Sequence, residues 1–139
     1  MLMPIVGFHF TKMDVERKGP LKGKIDIKND VALKDVKEKE LSIKGADQKG
    51  ISFVFEFNSR YGNDIGHITL IGEILFIDNT QKVDSILKEW KKSKKIPKNI
   101  MTSLLNTALT KCNIQALILS QEINLPPPIP LPKVGARKK

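Results

Sequence analysis

PKNIMTSLLNTALTKCNIQALILSQEINLPPPIPLP, residues 97–132, decides how the rest of the chain is arranged. Ile100, Met101, Leu104, Leu105, Ala108, Leu109, Cys112 and Ala116 recur at helical spacing, which predicts a long amphipathic helix of about 24 residues and about 36 Å. Ile114, Leu117, Ile118 and Leu119 then carry apolar surface round the whole circumference. A helix that is apolar on one side covers a core; one that is apolar all round must be covered twice. In a chain of 139 residues the second cover is assigned to another subunit, with Ile114, Leu117 and Ile118 at that interface. Pro126, Pro127, Pro128, Pro130 and Pro132 end the helix, because proline lacks the amide donor and clashes with the preceding turn. The chain runs on from there as an extended polyproline strip carrying Ile123, Leu125, Ile129 and Leu131.

Upstream of this stretch, Val83, Ile86, Leu87 and Trp90 fall at i, i+3, i+4 and i+7 and predict a shorter amphipathic helix. Asp78, Asn79 and Thr80 are all competent to cap it. "KKSKKIPKN" breaks it, and Pro97 stands where the next helix starts. Before residue 78 the period is two. Residues 5–17 alternate, with Val6, Phe8 and Phe10 on one side and His9, Thr11 and Met13 on the other. "KGPLKG" at 18–23 is a turn. A second strand begins at Lys24, with Ile25, Ile27, Val31 and Leu33 sharing a parity; Leu41 and Ile43 are candidates to resume it. Ile51, Phe53, Phe55 and Phe57 stack on one face of a third strand, opposite Ser52, Glu56 and Asn58. "YGND" at 61–64 reads as a tight hairpin turn. The fourth strand, 65–77, holds Ile68, Leu70, Ile74 and Phe76 on one parity, with Gly66 and Gly72 as bulges or close approaches. Ile71, Leu75 and Ile77 make its other face apolar too, which suits either a central strand or an intersubunit one. The expected class is α+β: a four-stranded antiparallel sheet, a short helix, a long C-terminal helix and an extended proline-rich tail. One domain is expected over residues 1–133, followed by a basic tail at 134–139.

Composition narrows the function classes. Apolar residues at 40% and charged residues at 28% describe a soluble globular domain, and no apolar run approaches the roughly 20 residues that cross a bilayer. The N-terminus reads as mature sequence without a signal peptide, and a single cysteine fits a reducing cytoplasm. A net charge of +9 is compatible with nucleic acid, an anionic surface or acidic clients, and equally with a lysine-rich proteome.

No chemistry-bearing constellation emerges. The two histidines, His9 and His67, lie on different strands, and Cys112 sits in a helical apolar stripe; zinc needs three or four suitable ligands, so no metal and no cofactor is expected. Asp14 and Glu16 share a strand face beside Arg17 and Lys18, as a solvated face would. There is no phosphate-cradling glycine loop and no nucleophile with a recognisable base, so an enzyme is not expected. Lysines 88, 91, 92, 94, 95 and 98, with the ARKK terminus, are the candidates for phosphate contact. Nucleic-acid sites interleave basic residues with exposed aromatics, and here the neighbouring Trp90 falls on the core stripe, so a nucleic-acid- or ribosome-associated protein is the second reading. The row of Phe53, Phe55 and Phe57 is either core or, if the helix leaves part of the sheet uncovered, the floor of a groove.

This order of elements resembles that of the SecB-type export chaperones and their SecB-like relatives. The resemblance spans residues 5–133 and is carried by "FTKMDVERKGP" at 10–20, the hairpin "ISFVFEFNSRYGNDIGHITLIGEILFI" at 51–77 and "EINLPPPIPLPKV" at 122–134. It implies an ATP-independent holdase, assembled as a dimer of dimers with long helices between dimers, that binds unfolded or precursor polypeptides along apolar grooves. Phe53, Phe55, Phe57, Leu125 and Ile129 are the expected client-binding residues. Two features depart from the pattern. The connection at 18–23 is shorter than the family's crossover loop, removing one groove wall, and the chain is basic where the export members are acidic and dock a translocase motor. Relatives that guard toxin–antitoxin systems are a further possibility within the resemblance.

Overall fold

The computed structural model describes residues 5–20, 23–39 and 48–129. Strands β1 (Ile5–Arg17), β2 (Ile27–Lys39), β3 (Gln48–Tyr61) and β4 (Gly66–Asn79) precede helices α1 (Thr80–Ser93) and α2 (Lys98–Glu122). Leu41, Ile43, Pro130, Leu131, Pro132 and the expected basic tail at 134–139 lie outside the described residues.

The strands form one antiparallel sheet in the order β1-β4-β3-β2. β1 and β2 are consecutive in sequence yet occupy opposite edges, with only residues 18–26 between them. Three strand spacings amount to about 14 Å, within reach of so short a connection. β4 is a central strand, and Ile71, Leu75 and Ile77 are half-buried on the face without helices.

The opposite face is the core. Cross-strand partners share a face, so Phe53↔Ile74, Phe57↔Leu70 and Ile51↔Phe76 form one apolar layer under the helices. Bulges adjust which side chains join it. In β1 the alternation slips between Phe10 and Lys12, so Met13 and Val15 share the helix side with Phe8 and Phe10. This corrects the simple alternation, which placed Met13 on the other side and Val6 with the phenylalanines; Val6 sits at the first bulge and is exposed. In β2 a slip between Leu33 and Asp35 brings Val36 into the core and leaves Asp35 outside. An extra residue in one strand shifts every later side chain to the other face.

Gly72 is a close approach: a Cβ there would lie 2.7 Å from both the His9 carbonyl oxygen and the Phe55 ring. α1 is capped by Asn79, whose side chain accepts from the Lys82 amide at 2.8 Å, and it docks through Val83, Ile86 and Trp90. Pro97 occupies the cap position of α2 and supplies no side-chain cap. α2 buries Ile100, Leu104, Ala108, Cys112, Ala116 and Ser120, every fourth residue. The last four are small, so the helix settles close on the sheet.

Candidate functional site

Apolar surface survives at the margins of the helix-covered face. The helices rest on β2, β3 and β4, and β3 and β4 beneath them are buried. The edge strands are only half covered. On the β1 flank, Phe8, Phe10 and Val15 are half-buried and Met13 is 46% exposed. On the β2 flank, Ile25, Ile27, Val31 and Leu33 are half-buried. Phe8 stacks on Phe55 with centroids 5.3 Å apart and meets Phe10 edge-on at 5.0 Å. Such pairs add order to the hydrophobic contact.

The expected client-binding residues therefore divide. Phe53 and Phe57 have no exposed surface and Phe55 has 2%. In the isolated chain this row offers nothing to a client, because the helices and the Phe8 ring cover it. Leu125 is also buried, and Ile129 is half-buried. The accessible aromatics are Phe8 and Phe10, whose signal was the FHF of the first strand; its alternation was legible, its partial cover was not.

α2 brings together the expected interface residues. Ile114 is 55% exposed and Ile118 47%, with Leu117 half-buried between them. Lys111 stands over the Phe8 ring at 5.8 Å, and Arg17 reaches the chain just past the helix end. The exposed isoleucines fall between these two points, on the β1 side of the molecule. Val6, Met13, Ile114 and Ile118 are the large apolar residues exposed among the described residues.

Beyond α2 the chain crosses the sheet as a strap. Asn124 adopts a left-handed backbone (φ 57°), and the Leu125 amide bonds back to the Ser120 carbonyl at 2.8 Å. Arg17 of β1 donates to the Ile123 and Asn124 carbonyls at 3.3 and 3.1 Å. Leu125 packs over Gly66 of β4, where an added Cβ would lie 3.2 Å from its methyl. Tyr61 of β3 donates to the Pro126 carbonyl at 2.6 Å. Asn29 of β2 donates to the Pro128 carbonyl at 2.7 Å and is held by Ser59 at 2.6 Å. Burial pushes the Tyr61 phenol up to about 12, so it remains a protonated donor.

Burial pushes the Cys112 thiol up to about 12, far from the thiolate a nucleophile needs. Asp14 and Glu16 flank His67 at 3.5 and 3.9 Å on the uncovered sheet face, half-exposed to solvent. His9 pairs with Glu73, six residues along β4 from His67, a separation of about 20 Å. Among the described residues no cluster of three or more metal-ligating side chains occurs. A cleft of about 450 Å³ between the crossover and the β3–β4 turn is lined by Lys24, Lys28 and Arg60 as well as Ile25 and Ile65. No helix of the described residues is long and apolar enough to cross a membrane.

No family model and no curated protein matches the sequence. The structure is similar to that of the Mycobacterium tuberculosis SecB-like chaperone Rv1957, solved in complex with a ChAD peptide from the Rv1956 HigA1 antitoxin. The two share 11% identity and a TM-score of 0.51, over 94% of this chain and 89% of the other. At that identity the likeness speaks to architecture, and the conclusion is that this chain has the SecB-like fold.

Proposed function

We propose that the chain is an ATP-independent holdase: it assembles with copies of itself and retains unfolded segments of other polypeptides on apolar surface. The observation that carries this reading is the apolar area left uncovered after self-packing, on the outer face of α2 and along the β1 flank. The SecB-like structural neighbour, solved with an antitoxin peptide bound, supports a polypeptide partner. Burial of apolar area contributes about 25 cal/mol per Å², so many shallow contacts hold a client without any reaction.

In this reading Ile114, Leu117 and Ile118 join copies, in a dimer of dimers. Phe8, Phe10 and Met13 on one side, and Ile27, Val31 and Leu33 on the other, meet clients directly. Phe53, Phe55 and Phe57 form a rigid floor that a client reaches only when the helix or strap moves. The charge of +9 favours acidic clients and faster encounter; it does not suit docking to a motor through acidity, so a role in export is a weaker form of the proposal than retention in the cytoplasm. The nucleic-acid alternative loses its aromatic: Trp90 is 7% exposed, with the Lys94 ammonium over its ring at 5.2 Å.

The test is suppression of aggregation of a reduced, unfolded protein at equimolar assembly. Suppression without nucleotide is the expected result, and a full aggregation signal would reject the reading.

A further inference from the structure

The strap is held to the sheet by side chains from β1, β2 and β3 and by packing on β4. Arg17, Gly66, Tyr61 and Ile27 are successive cross-strand partners, so they form one row across all four strands. Residues 124–128, at about 3.1 Å per residue in polyproline geometry, cover about 12 Å, against about 14 Å for three strand spacings. The strap thus lies along that row. What the row recognises is narrow. Arg17 and Tyr61 of this row, and Asn29 two residues beyond Ile27 along β2, all donate to carbonyls of the strap. None accepts from a strap amide, and Pro126, Pro127 and Pro128 have no amide to offer. Among the described residues two strap side chains are buried, Leu125, which is received over Gly66, and Pro128.

We propose that this row is a carbonyl-reading peptide site, and that it takes an extended, proline-containing client segment with a leucine-sized residue in exchange for residues 123–129. The inference rests on the holdase reading for the source of the segment, but the site is defined by the strap alone. Carbonyls are common to every polypeptide, so the donors set direction and spacing, and the recess over Gly66 sets the preferred side chain. Prolines, which interrupt recognition by strand pairing, are compatible with such a site. The attached strap holds it at an effective concentration on the order of millimolar, so a free segment meets an occupied site. Its apparent affinity falls by the fraction of molecules in which the strap is lifted.

The experiment uses the full chain and a fluorescently labelled peptide, EINLPPPIPLP. Leu125→Asp removes the strap's anchor and leaves Arg17, Tyr61 and Asn29 in place; Leu125→Ala does so more mildly and serves if the first variant does not fold. By anisotropy, the variant is expected to bind the peptide about tenfold or more tightly than the unaltered chain, as a vacated site should. Adding Tyr61→Phe and Asn29→Ala is expected to abolish that gain, and a peptide with aspartate in place of the leucine that corresponds to Leu125 is expected not to bind. Equal binding by unaltered and Leu125 variants, or binding indifferent to Tyr61 and Asn29, would overturn the site. The two proposals separate cleanly: aggregation suppression with no peptide binding removes the site and keeps the holdase, and the converse keeps the site alone.

Discussion

α1 and α2 lie on the same sheet and solve the same packing problem in different ways. α1 is short, capped by Asn79, and docks through the large side chains of Val83, Ile86 and Trp90. Its outer face is polar and charged, and its remaining apolar residue, Leu87, is half-buried against the same core. α2 is long, uncapped by any side chain, and its C-terminal half docks through Ala108, Cys112, Ala116 and Ser120. Small residues toward the sheet let the helix come close, and isoleucines at 114 and 118 are left facing outward. The difference is that α1 leaves no large apolar side chain exposed, whereas α2 leaves Ile114 and Ile118 exposed.

This contrast makes predictions of opposite kind for the two helices. The largest effect belongs to truncation in α1: Trp90→Ala is expected to cost about 3–5 kcal/mol in chemical denaturation. In α2 enlargement is what hurts, and Ala116→Leu is expected to cost about 1–3 kcal/mol because the seam has no room for a branched side chain. If Ala116→Leu were neutral, the close approach of α2 would be wrong. Asn79→Ala is expected to cost about 1 kcal/mol, whereas no comparable loss awaits at Pro97, which caps nothing with its side chain. The smallest stability change is the most informative. Ile114→Glu with Ile118→Glu is expected to shift monomer stability by no more than about 0.5 kcal/mol, yet to lower the molar mass measured by light scattering. Lys88→Glu with Lys92→Glu on α1 is expected to leave that mass unaltered. Equal behaviour of the two pairs would erase the contrast.

Periodicity made the fold legible because each element obeys its own period. The phenylalanine row of β3 and the spacing of Val83, Ile86, Leu87 and Trp90 left little choice of element. The outward isoleucines of α2 were legible for a related reason: a helix apolar all round cannot hide everything against one sheet. Burial of Phe53, Phe55 and Phe57 was not legible, since alternation says which residues share a face and not how far a helix covers it. The bulge after Phe10, which returns Met13 to the helix side, depends on register with β4 and leaves no mark in β1 itself. The strap's partners were equally hidden. Arg17, Asn29 and Tyr61 lie on three strands, and only the order β1-β4-β3-β2 sets them beside one another.

The central claim is that uncovered apolar surface, and not the charge of +9, engages other polypeptides. Its most direct test is the affinity for a permanently unfolded, reduced polypeptide measured across a salt series. Contacts made by apolar burial are expected to hold their affinity or gain slightly between about 0.05 and 0.5 M salt, because screening reaches only the charges. A steep logarithmic fall over that range, of the kind that phosphate neutralisation produces, would contradict the account and return the lysines to first place.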